Sequence, residues 1–479
     1  MKPKTPRNMQ QLWRPFMGIG RALSQEFLSE AEDLLYLVLS YGIENVKDPL
    51  KSKERYLEFT AAVHDGWKQA QLRIAALLIA AIARRDAARD QKAIHRRKKD
   101  KAREGEASNA VDLADMEIAI LRRIMDVVLW TICGGDHSMM RRLFVIGGHS
   151  NFSAKNIEDA LPVAASYNKD RYQVALCTDM LSYVHVGDLL VSDAKSGTIT
   201  FVEIKTGEKN MAITRAVNFA LDSECGLFEH LTTEQLSQVD RAQYNRVKRQ
   251  AIRNQTIVDT VRNEGGTDPN TGAIVSVLKT DDPPMLWSDR IVSCYRELSD
   301  SKPWSIASID ECVHLGVYNR RDMAFVGFNS WMDRLKCTSP IFNLTDSFRD
   351  PSVRPLGATF LPIELQNKIL RGDVLVIICL DYERLFQMSN KMHDSVMRSA
   401  SRRETSEAKR HKLRMLEFNG RLIEMRIGDN ALYLGAGFRD RVIFDQHCPS
   451  QLVSQNIAQL LSGDGQWPSV LSGSAGASG

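Results

Sequence analysis

No CxxC pair occurs anywhere in the 479 residues, and the eight cysteines are scattered. That spacing argues against both a zinc site and a disulfide framework, so the thiols read as reduced ones in a cytosolic protein. The opening MKPKTPRNMQQLWRPF lacks the apolar core of a signal peptide. The longest apolar run, IAALLIAAIA from Ile74 to Ala83, is too short to span a bilayer and reads as buried helix. The patterns GxxxxGK[ST], HExxH and GxSxG are absent, which excludes an encoded P-loop motor, a zincin and a nucleophile-elbow hydrolase. Charge of one sign is not in large excess either. The formal net charge is +4, so any basic surface must be local. The chain is expected to be soluble and intracellular.

What is present suits a globular protein: 43% apolar and 25% charged residues, in a chain long enough for roughly two to four domains. Residues 20 to 133 are almost free of proline and glycine and carry helical periodicity. ALSQEFLSEAEDLLYLVLSYGI predicts one helix, with Gly42 as its stop. A second, long helix is predicted from about Lys53 to beyond Ala93. A third, ADMEIAILRRIMDVVLWTI, should stop at Gly134–Gly135. The middle of this region is RRDAARDQKAIHRRKKDKARE, dense in Lys and Arg. It reads either as a solvated helix end or as a phosphate-binding arm in which Arg96, Arg97, Lys98 and Lys99 release counterions from a nucleic acid.

From residue 141 the period changes. RRLFVIGG predicts a strand, and AKNIEDALPVAASYNKD a helix interrupted at Pro162. YQVALCTDMLSYVHVGDLLVS and TITFVEIKTG predict further strands. A long helix is then expected to end at Gly265–Gly266. TDPNTGA reads as a linker. Beyond it come strands such as VLVIICLD, a polar helix over SVMRSASRRETSEAKRHKLRMLEF, and a β meander over RLIEMRIGDNALYLGAGFRDRVIFDQ. The fold class expected is α/β, with a helical bundle or arm over 1–138, a central α/β core over 139–268, a mixed α/β domain over 269–462 and a disordered tail over 463–479.

The central chemistry lies in YVHVGDLLVSDAKSGTITFVEIKTG. Alternation on a strand sends Glu203 and Lys205 to one face while Val202 and Ile204 turn to the core. SDAKSG closes a hairpin that should set Asp188 beside Glu203. Two carboxylates at a strand end make a hard-cation site suited to Mg²⁺, or Mn²⁺ in its place, and the Ile204 carbonyl can add a ligand if the strand frays. Lys205 is suited to orienting a water or neutralising a phosphate. The plainer alternative is a surface ion pair between Glu203 and Lys205 on an edge strand, with Asp188 in a turn. If the acids only hold a metal, Asp188→Ala and Glu203→Ala should leave stability equal or higher without the ion.

Asp188 in Gly-Asp, followed fifteen residues later by Glu203 and Lys205 in EIK, resembles the PD-(D/E)xK nuclease superfamily, the restriction-endonuclease-like fold. Gly187 stands where the motif's name has proline, as in many members of the RecB-like branch. The resemblance covers residues 140 to 265. It implies a metal-dependent nuclease acting through a metal-activated water, with DNA favoured over RNA as partner. It also implies an upstream acid, for which Glu158 is favoured over Asp159 and Asp179, and a helical glutamine, Gln250 or Gln243. Arg249 before Gln250 is similar to a group of bacterial defence-associated nucleases, and it joins the nucleic-acid contacts. The flanking regions suit a protein partner or self-association. The alternative of another class is a non-catalytic nucleic-acid- or protein-binding module on the same fold.

Other signals carry less. Gly372–Asp373 reads as an ordinary strand start, Ser192 and Lys195 as a chance SxxK in a turn, His185 as a packing residue, and Trp304 and Trp331 as core.

Overall fold

The computed structural model describes residues 16, 19–135, 140, 153–184, 187–204, 208–223, 230–231, 233–262, 265–267, 274–276, 282–392, 396–410, 415–428 and 430–462. Predicted features in 141–148 and 463–479, and those at His185 and Lys205, lie outside them. In chain order, helix α1 spans Gln25–Leu39, α2 Lys53–Arg97, α3 Lys101–Ile132 and α4 Ala154–Tyr167. Strands β1 (Gln173–Cys177), β2 (Leu189–Asp193) and β3 (Thr198–Val202) precede α5 (Glu208–Ser223), α6 (Gln238–Arg262), β4 (Gly265–Thr267) and β5 (Ile274–Ser276). Then come α7 (Ser288–Arg296), β6 (Trp304–Ile309), β7 (Val313–Tyr318), α8 (Arg321–Arg334), β8 (Ile341–Asn343), α9 (Ile363–Arg371), β9 (Leu375–Leu380) and α10 (Tyr382–Met392). The chain continues with β10 (Val396–Ser399), α11 (Arg402–Arg410), β11 (Glu417–Phe418), β12 (Arg421–Ile427), β13 (Asn430–Tyr433), α12 (Gly437–Ile443) and α13 (Pro449–Ser462). The protein is mixed α/β with an N-terminal helical region. Among the described residues no helix is long and apolar enough to cross a membrane.

Contacts divide the chain into two compact units. The first comprises Met1–Tyr41, Ala76–Thr131 and Leu278–Gly479, and the second Gly42–Ala75 and Ile132–Val277. Helix α2 therefore belongs to both. Residues Gln71, Ile74, Ala75, Leu78, Ala81, Ile82 and Arg85 are buried along it at helical spacing, so the apolar run lies on the buried face of one long helix.

In the first unit, an antiparallel sheet of order β6-β7-β9-β8 forms the centre. Every residue of β7 and β9 is buried, as expected for strands covered on both faces. On one face Tyr318, Leu375, Ile377 and Cys379 pack against Ala324, Phe328 and Met332 of α8. A second sheet pairs β10, β11 and β13 with β12.

The basic segment of α2 runs alongside α3 as the other arm of a helical hairpin, with both arms in this unit. Arg84 pairs with Glu117 at 2.5 Å, Arg89 with Asp115 at 3.7 Å and Arg96 with Glu104 at 2.9 Å. Much of the basic run thus neutralises acids across the hairpin. Arg97, Lys98 and Lys99 stand exposed at its tip, where Lys99 takes a left-handed φ of 58° and Asp100 caps α3 by accepting from the Arg103 N–H.

Several predicted boundaries shift. Helix α4 continues through Pro162 rather than breaking there, because both Pro162 and Glu158, whose carbonyl loses its donor, are exposed to water. The polar helix predicted from 395 begins as strand β10, whose pairing with β12 overrides local propensity. The helix starts only at Arg402, behind a capping box in which Glu404 N–H donates to Ser401 Oγ and Ser401 N–H to Glu404 Oε2. The expected meander ends at Tyr433 and gives way to α12. Gly372 is not a strand start but the left-handed stop of α9, with φ 78°.

Candidate active site

The second unit carries a three-stranded antiparallel sheet of order β1-β2-β3. Helix α4 packs on β1 through Ile157, Ala160 and Ala164. The outer edge of β1 is closed by side chains. Gln71 accepts from Cys177 N–H at 3.0 Å and donates to the Ala175 carbonyl at 2.9 Å, while Asn168 accepts from Ala175 N–H at 2.8 Å. Those bonds cap the edge where a further strand could pair.

The hairpin between β2 and β3 is built by Asp193. Its Oδ1 accepts the N–H groups of Lys195 and Ser196, and Gly197 turns with φ 68°. The Gln173 amide, then the backbone donors of Ser196 and Lys195, hold the Asp193 carboxyl below its ordinary range. Lys195 lies 3.2 Å from Asp170 and over the Tyr172 ring, which leaves the SxxK pair a structural role.

The hairpin sets the register on which the site depends. Leu189 pairs with Val202 as the last rung, and Asp188 and Glu203 follow directly outside it on their own strands. The ladder closes with Asp188 N–H donating to the Val202 carbonyl at 2.8 Å. Strand β3 ends there, so Glu203 lies one residue past the strand rather than within it. Ile204 N–H then turns from the backbone ladder to Oδ2 of Asp188 at 2.5 Å. Val202 and Ile204 are only half-buried, as befits an edge.

Gly187 explains why Asp188 follows glycine. Its φ is 67°, and a Cβ there would meet the Val202 carbonyl oxygen at 3.0 Å. The strand can therefore enter its ladder at Asp188 only behind a residue without a side chain. Thr178 braces the same corner, its hydroxyl donating to the Gly187 carbonyl at 2.7 Å and its N–H to the Asp188 carbonyl at 3.0 Å.

Asp179 belongs to this corner too. Burial, then the charges of Asp179 and Asp188, push the Cys177 thiol up to about 12. Both carboxylates therefore act on one buried sulfur, and that sulfur stays protonated and inert. Glu158 and Asp159 are exposed on α4, beside its buried stripe, with no hydrogen bond or ion pair to the sheet among the described residues.

The later helices pack on each other through Ile213, Val217, Tyr244 and Val247. Gln243 is half-buried next to Tyr244, and Arg249 is exposed. Gln250 lies on the same helix, but its side chain is outside the described residues.

The donors at the corner are hard oxygens. A carboxylate has about four lone-pair sites, so one that accepts from the Ile204 N–H can bind an ion as well. Asp188 and Glu203, each next to the last β2–β3 pair, are of the donor type that suits a divalent ion keeping several waters. Among the described residues no group of three or more His, Cys, Asp or Glu side chains is arranged as a metal cage. No protein-family model matches the chain, and neither a curated protein nor a solved structure does.

Proposed function

We propose that the protein is a metal-dependent nuclease that hydrolyses phosphodiester bonds, with DNA favoured over RNA, on a restriction-endonuclease-like core. What supports this reading is that Asp188 and Glu203 both lie immediately outside the last β2–β3 pair, Leu189–Val202. Two carboxylates brought close together repel each other unless a cation lies between or beside them. A bound Mg²⁺ or Mn²⁺ would be held by Asp188, Glu203 and the Ile204 carbonyl, and would supply Lewis acidity toward water and phosphate. The chain's own part is to fix those oxygens. Gly187 lets the strand enter, and the Ile204 N–H fixes the rotamer of Asp188. Lys205 has the role of neutralising charge on the phosphate. Asp179 takes precedence over Glu158 as the third acid, because its charge reaches the same sulfur as that of Asp188. Gln250 or Gln243 would complete the catalytic set from the following helix, and Arg249 would contact the nucleic acid. A cytoplasmic, regulated role in bacterial antiviral defence fits this reading.

The test is incubation of the full chain with plasmid, single-stranded DNA and RNA, each with Mg²⁺ or with chelator. Wild type should cut at least one of them only with metal. Glu203→Gln and Lys205→Ala should not cut, and Lys205→Ala should keep metal affinity in calorimetry because both acids remain. Cleavage by Glu203→Gln at the wild-type rate would remove the site assignment. One observation favours a second reading, a non-catalytic nucleic-acid- or protein-binding module: Asp188 already has a structural task in holding Ile204. Binding of nucleic acid without cleavage under any metal would select it.

A further inference from the structure

We propose that Cys337 and Cys379 form a peroxide-reactive dithiol that closes to a disulfide and ties the end of α8 to the central strand β9. Their sulfurs lie 3.6 Å apart although 42 residues separate them in sequence. Each is placed by its own element. Cys379 ends the row Leu375, Ile377, Cys379 on the face of β9 that α8 covers. Cys337 follows α8 through a left-handed turn at Lys336, φ 57°, closed by Cys337 N–H donating to the Met332 carbonyl at 2.9 Å. That turn brings the chain back over the row it has just covered.

The two thiols differ as an attacking and a resolving thiol should. Cys337 is half-buried and reachable from solvent, whereas Cys379 is fully buried. The hydrogen bond with Cys379, then those with the Ser339 backbone and hydroxyl, draw the Cys337 thiol below its ordinary value, against burial and the charge of Asp381. The same hydrogen bond and burial hold Cys379 well above. Either sulfur can donate in this contact, and the lowered thiol, Cys337, is the one suited to carry thiolate character.

The chemistry balances with a hydroperoxide as oxidant. The Cys337 thiolate attacks the terminal oxygen of the hydroperoxide. The O–O bond breaks and the alkoxide leaves, taking a proton to become an alcohol. Cys337 is now a sulfenic acid. The Cys379 sulfur then attacks the Cys337 sulfur, the S–O bond breaks, and hydroxide leaves with the Cys379 proton as water. Two electrons pass from the dithiol to the peroxide.

Among the described residues the other cysteines are Cys133, Cys177, Cys294, Cys312 and Cys448. Burial raises the thiols of Cys177 and Cys312, which makes them internal controls.

The experiment treats the full, reduced chain with hydrogen peroxide and with cumene hydroperoxide. It then unfolds the chain, alkylates it and maps the peptides by mass spectrometry. Wild type should lose alkylation at Cys337 and Cys379 together and yield one linked peptide pair, with both thiols restored by dithiothreitol. Cys379→Ala should instead accumulate a dimedone-reactive sulfenic acid at Cys337. Cys337→Ser should leave Cys379 fully alkylated after the same treatment. Far-ultraviolet dichroism of each variant checks that it folds. The proposal is overturned if both thiols stay alkylatable while Cys177 or Cys312 oxidises. It is equally overturned if Cys379→Ala forms no sulfenic acid at Cys337 while folded.

Discussion

The Ile204 N–H donates to Oδ2 of Asp188 across 2.5 Å, so a single carboxylate takes up a backbone donor just beyond the end of the β2–β3 ladder. This changes what substitution at Asp188 should do. As a metal ligand alone, Asp188 could be deleted without loss of stability. As the acceptor for a half-buried N–H, it cannot. Asp188→Ala is expected to destabilise the second unit by about 1–3 kcal/mol, the cost of stranding a donor that had a charged partner. Asp188→Asn keeps a carbonyl acceptor and should recover most of that, while losing cleavage as fully as Ala. Urea denaturation beside a plasmid assay separates the two effects. Equal stability of Ala and wild type would show that the hydrogen bond is replaced by water.

The hairpin tip narrows the nucleic-acid contact. Arg96 is paired with Glu104 at 2.9 Å, whereas Arg97, Lys98 and Lys99 have no ion partner among the described residues. Replacing those three with Gln should lower the log–log salt slope of duplex binding by up to ~3 if each contacts a phosphate. Arg96→Gln should change it less. Titration by fluorescence anisotropy over a series of salt concentrations reads the slope, and an unchanged slope returns the tip to solvent.

His64 makes the second unit sensitive to acid. Its ring is buried beside Trp67, and burial, then the positive charge of Lys68, lowers its pKa from 6.5 to about 4. The folded state therefore refuses a proton that the unfolded chain accepts. Nothing is lost above the unfolded value. As pH falls from about 6.5 toward 4, stability should fall, by up to about 1.4 kcal/mol per pH unit from this one group. His64→Gln should remove that part of the slope. Urea denaturation of both proteins at several pH values across this window checks it.

Arg123 should be the most costly single position in the first unit. It is buried with Asp126 at 2.6 Å and donates to the carbonyls of Ser347, Pro351 and Val353. Arg123→Met strands Asp126 and those carbonyls, and a loss of about 3–5 kcal/mol is expected. Arg123→Met with Asp126→Leu should lose less than the two single changes added, because no charge is left buried alone. Chemical denaturation of the three variants completes the cycle.

Local chemistry alone determined the long helices. Ser24 before α1, the absence of proline and the buried spacing along α2 are properties of neighbouring residues; α2 appears where that spacing put it, whereas α3 begins already at Lys101, ahead of the expected Ala114. It also set the register that leaves Asp188 and Glu203 just outside the last pair, because a Gly-containing turn after Asp193 fixes a hairpin register without help from distant chain. Distant partners decided the rest. Strand β10 exists because β12 lies beside it, which no window around Val396 contains. Arg84, Arg85, Arg89 and Arg96 became ion pairs with acids of α3 because the hairpin folds back on itself. Asp179 is tied to the site through the buried sulfur of Cys177, and Glu158 is left on the solvent side of α4 by its place off the buried stripe. Cys337 and Cys379, scattered in sequence, meet because α8 must cover the apolar row of β9, and burying that row fixes where the helix ends.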